Sequence, residues 1–118
     1  MKFEIHREQA YSVLTPVGEK LDSIVAPEMK SNIIFLASTD DSGHLIIDLS
    51  HVTFADSSGL SSLLLAHRQY RDTDRMLVLC SLNERIYKLI EISQLLSAFT
   101  IVADRSEAEL YLKEQISE

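Results

Sequence analysis

Leu45-Ile46-Ile47-Asp48-Leu49 and Met76-Leu77-Val78-Leu79-Cys80 are short runs, apolar at almost every position. A strand with one wet face alternates apolar and polar residues, so runs like these must be covered on both faces. Each is followed by a segment whose apolar residues recur at helical spacing. After Phe54, the side chains of Leu60, Leu63, Leu64, His67 and Tyr70 share one helical face, with Ser61, Arg68 and Gln69 opposite. After the second run, Asn83 is placed to cap a helix in which Ile86, Leu89 and Ile90 are periodic. Buried strands alternating with helices join by right-handed crossovers, which gives a mainly parallel sheet.

The flanking elements extend this pattern. Phe3 and Ile5 alternate with Glu4 and His6, and Tyr11 and Val13 flank Ser12, with a turn at Glu8-Gln9. That reads as a hairpin supplying an antiparallel edge. Pro16 and Gly18 are expected to end the second strand. Pro27 suits a first helical turn, with Glu28 beside it at the positive end of the dipole, and Met29, Ile33, Leu36 and Ala37 follow on one face. Ser42-Gly43 reads as a turn. A last strand is expected over Phe99 to Val102, then a helix capped by Asp104 or Ser106 that buries Ala108, Tyr111, Leu112 and Ile116. The expected order is β-β-α-β-α-β-α-β-α, one α/β domain over residues 1–118.

Composition narrows the function classes. The 118 residues carry a net charge of −7, with a pI near 5.0. A duplex nucleic-acid binder needs a basic face, so direct nucleic-acid binding is not expected, nor is docking on an anionic membrane. The single cysteine, Cys80, allows neither an internal disulfide nor a cysteine-rich zinc site, and it reads as an inert core residue. His6, His44, His51 and His67 share no ligand spacing, and Asp40-Asp41 reads as a solvated loop. Gly18, Gly43 and Gly59 stand too far apart for a phosphate loop. No cofactor is expected. The first residues are charged and alternating, and no run approaches the roughly 18 apolar residues that span a bilayer. No membrane insertion and a cytoplasmic location are the expectations.

One stretch is unusual: Asp48-Leu49-Ser50-His51-Val52-Thr53-Phe54-Ala55-Asp56-Ser57-Ser58-Gly59-Leu60. It joins the end of a buried strand to the start of a helix, the edge where ligands and reactive groups gather in α/β sheets. Asp56, Ser57 and Ser58 all have the chemistry of helix caps, and a cap alone is one reading. Three polar residues exceed what a cap needs, however, and no Glu or Gln completes a capping box. A hydroxyl here can also carry phosphate, because free N–H groups and the helix dipole favour a dianion. Gly59 permits another backbone to approach closely. A nucleophilic reading is weak: Asp56-Ser57-Ser58-Gly59 is not a Gly-x-Ser-x-Gly elbow, His67 lies on an apolar face, and His51 lacks an orienting third group.

Leu45-Ile46-Ile47-Asp48-Leu49-Ser50 followed by Phe54-Ala55-Asp56-Ser57-Ser58-Gly59-Leu60 resembles the STAS domain family, that of anti-sigma factor antagonists and of the cytoplasmic domains of sulfate transporters. Leu82 to Ile90 and then Leu95-Leu96 resemble the family's third helix and the approach to its last strand. The resemblance spans roughly residues 3–111. It implies a non-enzymatic antagonist that binds an anti-sigma factor serine kinase and is released when Ser57, the serine after the Asp, is phosphorylated. A metal-dependent serine phosphatase would reset it. Asp56 would position the acceptor, Ser58 would line the turn, and Gly59 and Leu60 would stand at the docking surface. The family often has Gly-x-Leu-Asp after the second strand. Gly18-Glu19-Lys20-Leu21-Asp22 is one residue longer, so a partner contact at Asp22 rests on a shifted spacing. Arg71-Asp72-Thr73-Asp74-Arg75 lacks the glycines often seen there and reads as a solvated charge cluster, with a loop adapted to a different partner as the alternative. The alternative is a STAS scaffold or subunit that does not switch, for example in a lipid-transport complex.

Overall fold

A five-stranded sheet runs through the molecule, and its order follows from which strands are apolar on both faces. The structure, a computed structural model, describes residues 1–39 and 43–116. The strands are β1 (Lys2–Arg7), β2 (Tyr11–Val17), β4 (His44–Asp48), β6 (Leu77–Cys80) and β7 (Thr100–Val102), in the spatial order β1-β2-β4-β6-β7. β1 and β2 form the expected antiparallel hairpin, with Ile5 opposite Leu14, and every other pairing is parallel. The two uniformly apolar runs, β4 and β6, lie at the centre. A second, two-stranded parallel sheet joins β3 (Lys20–Leu21) to β5 (Phe54–Ala55), a pairing that no periodicity announces in strands so short.

Helices α1 (Ala26–Thr39), α2 (Ser57–Arg71) and α3 (Glu84–Ile92) cover one face of the sheet, and α4 (Arg105–Ile116) covers the other. The alternation of side chains along each strand divides the core accordingly. Leu45 and Ile47 join Leu14, Met29, Ile33, Leu36, Leu63 and Ile86 in the larger cluster, while Ile46 joins Val13, Val78, Cys80, Ala108 and Leu112 in the smaller. Removing any one of the buried Leu, Ile, Val or Met side chains among these from water contributes about 1.5–3 kcal/mol.

Several expectations need correction. Pro16 does not end the second strand: it lies within β2, opposite Phe3, beyond Leu14, the last residue in register with β4. A proline is tolerated where a strand is paired on one side only. Ile116 is 46 % exposed, because α4 alone covers its face of the sheet and its last turn overruns the core. Arg75 is no part of a solvated cluster. It is 8 % exposed, donates from Nη2 to Ala37 O (2.9 Å) and from Nε to Thr73 Oγ1 (2.8 Å), and stacks 4.6 Å from the Tyr70 ring. Asp74, in a turn without glycine, takes φ 58°. The Asp40-Asp41 loop and Ser42 of the expected Ser42-Gly43 turn lie outside the described residues.

Candidate functional site

The unusual stretch starts from the C-terminal end of β4, where Asp48 turns the chain by accepting from Ser50 N (3.0 Å). Three anchors then hold its loop. Glu19 O accepts from Thr53 N (2.8 Å) and Phe54 N (3.0 Å), which builds the β3–β5 pair. Asn83 caps α3 through Ile86 N (2.8 Å) and with its amide nitrogen donates to Thr53 O (3.2 Å). Leu21 O accepts from Asp56 N (3.3 Å). The turn before α2 is therefore braced by two segments distant in sequence.

Asp56 is the N-cap of α2. Its backbone is extended, and its Oδ1 accepts from Ser58 N (2.9 Å) and Gly59 N (3.0 Å). The cap is thus supplied entirely by Asp56. Ser57, the first helical residue, is exposed, and its hydroxyl makes no hydrogen bond among the described residues. Two first-turn N–H groups that were expected to be free for a phosphate, those of Ser58 and Gly59, are taken by the Asp56 carboxylate. Ser58 is half-buried beside them.

Gly59 and Leu60 do not stand at an outer surface. Gly59 is buried and Leu60 is 7 % exposed, because the helical period turns both inward. A Cβ on Gly59 would lie 2.0 Å from Leu21 O, so the expected close approach of another backbone is made by β3. Asp22 follows directly, and the small sheet brings it alongside the α2 turn. Its Oδ1 accepts from Ile24 N (3.1 Å) and Val25 N (3.3 Å), and its carbonyl accepts from Ala26 N (2.8 Å), so it shapes the approach to α1.

The histidines do not assemble with Ser57. His67 is ten residues along α2, roughly 15 Å along the axis, and packs edge-on against Phe99 with ring centroids 5.8 Å apart. His51 is exposed and makes no hydrogen bond among the described residues. His44 Nδ1 accepts from Met76 N (2.9 Å), far from the turn, at the other end of β4. Among the described residues no group of three His, Cys, Asp or Glu side chains could hold a metal ion, and no helix is long and apolar enough to cross a membrane. Cys80 is fully buried, and burial, with the Asp48 carboxylate nearby, pushes its thiol up to about 12.

Sequence reasoning missed what lies next to the turn. Phe54, Ala55, Glu84, Arg85, Lys88, Leu89 and Ile92 line an open cleft of about 610 Å³ between β5 and α3. Ile92 is 74 % exposed and Ile24, near Asp22, 85 %. The residue after a well-formed apolar period, such as Ile92, is the one signal that could have drawn attention to this face.

The STAS domain family profile matches residues 2–108. BtrV of Bordetella bronchiseptica, provisionally named an anti-sigma factor antagonist, is 34 % identical over 80 residues, 66 % of this chain and 69 % of that protein. The anti-sigma-B factor antagonist of Listeria monocytogenes is 32 % identical over 79 residues, 67 % and 68 % of the two chains. An anti-sigma-factor antagonist (STAS) domain protein of Planctomyces limnophilus superposes with TM-score 0.86 at 17 % identity, over 94 % of this chain and 97 % of that one. The phosphorylated form of SpoIIAA, a cell fate determinant of Bacillus, superposes with TM-score 0.71 at 18 % identity, over 94 % and 99 %. With a family match over most of its length and a relative above 30 % identity, the chain belongs to the STAS domain family.

Proposed function

We propose that this chain is an anti-sigma factor antagonist that works by partner switching, with Ser57 as its phosphoacceptor. The observation that carries the reading is the division of labour in one turn: Asp56 does all the capping, and Ser57 is left exposed with its hydroxyl unengaged among the described residues. The relatives' names and the phosphorylated form of SpoIIAA support it. In the proposed cycle a serine kinase that is itself the anti-sigma factor binds the unmodified turn. Ser57 Oγ attacks the γ-phosphorus of the kinase's ATP, the bond to ADP breaks, and the hydroxyl proton leaves to solvent or to a base of the kinase. A metal-dependent phosphatase returns the serine by attack of water and releases inorganic phosphate. The chain itself turns over nothing, and its place is the cytoplasm, where a sigma factor works.

The electrostatics of the turn give the switch its sign. A phosphoserine adds about −1.5 to −2 charges. Because Asp56 already holds the Ser58 and Gly59 N–H groups, the new dianion meets a carboxylate beside it and stays directed to solvent. The α2 dipole keeps it compatible with the fold. A partner docked on the turn has to desolvate that charge, which costs several kcal/mol when nothing pairs with it. Ser57, Ile24, Phe54 and the cleft beside α3 offer that partner an apolar surface around the hydroxyl.

The test is a pull-down from host lysate with Ser57→Ala and Ser57→Asp baits, followed by phosphorylation with the recovered kinase. Enrichment of a kinase-type anti-sigma factor on the Ala bait, with about a hundredfold weaker capture on the Asp bait, is the expected result. Equal recovery on both baits, or a kinase that binds and leaves Ser57 unmodified, removes the switch and leaves a scaffolding module.

A further inference from the structure

We propose that two copies of this chain associate through the outer edge of β1, antiparallel, with Ile5 on the two-fold axis. β1 ends the sheet, and among the described residues its one ladder runs to β2. In an antiparallel ladder alternate residues turn their N–H and C=O outward, so the far side of β1 presents a row of such groups. Five of its six residues are exposed, Ile5 at 38 %.

The residues of β1 restrict how a second copy can be added. Lys2, Glu4 and His6 lie on the α4 side of the sheet, and Phe3, Ile5 and Arg7 on the α1 side, where Phe3 packs on the core and Arg7 sits 5.8 Å from the Phe35 ring. Antiparallel self-pairing must match like faces, which leaves registers that move in steps of two. Placing Glu4 on the axis sets Glu4 against Glu4 and Lys2 against His6. Placing His6 there sets His6 against His6 and Glu4 against Glu8. Both put like groups opposite each other, which is destabilising.

Placing Ile5 on the axis does the reverse. Glu4 then faces the His6 imidazole, a hydrogen-bond donor to a carboxylate, and Lys2 faces Glu8, each pair occurring twice by symmetry. Glu8, just past the end of β1, already accepts from His6 of its own chain at 2.8 Å, so the added pairs extend an existing row of acid and base. On the other side Ile5 meets Ile5, and Arg7, already over Phe35, meets Phe3 of the second copy. Phe35 is 53 % exposed and borders this edge, so the apolar surface continues across the axis. Charges on an edge strand usually deter pairing of any kind. Here their order deters the neighbouring registers and selects one. The interface is isologous and closes after two copies, joining two five-stranded sheets into one.

The experiment is sedimentation equilibrium of the full chain from about 1 µM to 1 mM, the range expected for a short edge pairing, with Glu4→Lys and Glu4→Lys/His6→Glu variants. Both positions are exposed, and circular dichroism checks that each variant is folded. Native chain is expected as a monomer–dimer equilibrium. Glu4→Lys, which sets Lys against His6 twice, is expected to weaken it about tenfold or more, and the double exchange to restore it. A monomer at every concentration overturns the proposal. A dimer indifferent to Glu4→Lys, or weakened by it and not restored by the exchange, overturns it as well.

Discussion

Gly59→Ala separates local from tertiary reasoning, because the two disagree in sign. Glycine inside a helix costs up to about 1 kcal/mol relative to alanine, so local propensity predicts a more stable protein. The structure predicts the opposite. The new Cβ would stand 2.0 Å from Leu21 O and 3.1 Å from Leu21 Cγ. Relief requires the two backbones to part by about 1 Å, to near the 3.0 Å that real Cβ contacts respect. Leu21 cannot retreat freely: it is 1 % exposed, and its carbonyl holds Asp56 N. Overpacking of this kind costs about 1–3 kcal/mol, and a weakened hydrogen bond about 1 kcal/mol more. After the helix gain is subtracted, the net loss is about 2 kcal/mol. For a chain of 118 residues, an unfolding entropy near 2.1 cal/mol/K per residue converts this to a melting point lower by about 8 °C. Thermal melts followed by circular dichroism read it directly, with Ser61→Ala in the second turn of α2 as the control for propensity. A Gly59→Ala chain as stable as the native one, or more so, would refute the close packing of β3 on α2.

The other predictions concern the same scaffold. Asp56→Ala is expected to lower stability by about 1–2 kcal/mol in urea unfolding, because two N–H groups lose their acceptor, while Asp56→Asn keeps most of it. Arg75→Met is expected to cost about 2 kcal/mol in the same assay, since the carbonyls of Ala37 and Gly43 lose a charged donor in a buried place. Tyr11 and Cys80 give an alkaline limit. Burial, and then the bond to Glu109 at 2.5 Å, pushes the Tyr11 phenol up to about 12 from 10, and burial raises the Cys80 thiol from 9 to about 12. Both groups are protonated in the folded and unfolded chain below pH 9, where stability is fully present. It is lost as pH climbs from about 9 to 12, where the unfolded chain ionises first, and Tyr11→Phe should flatten the upper part of that decline. Cys80 should resist a thiol reagent until the chain unfolds.

Most of the architecture was legible because it is written in local periods. A run such as Leu45 to Leu49 announces a strand covered on both faces, and Asn83 announces the start of α3 by the chemistry of its side chain. The same holds for the hairpin and for the face of α1. The candidate site was legible as a place, since Asp56-Ser57-Ser58-Gly59 is unusual at a strand-to-helix turn. Its internal assignment was not. Any of three side chains could cap α2, and only the backbone geometry gives that role to Asp56 and releases Ser57.

What the amino-acid sequence determined by itself, then, is the order of strands and helices, the faces they bury, and the turn where a hydroxyl meets a helix N-terminus. Tertiary structure decided what depends on residues far apart in the chain. It brought Leu21 against Gly59 and so turned a permissive glycine into a required one. It drew Arg75 out of a charged loop into the core, because the carbonyl of Ala37, 38 residues away, needed a donor. It left Ile116 beyond the sheet and paired Lys20–Leu21 with Phe54–Ala55. Periodicity reports how a segment partitions between water and core. Which distant group waits there is settled only when the chain closes on itself.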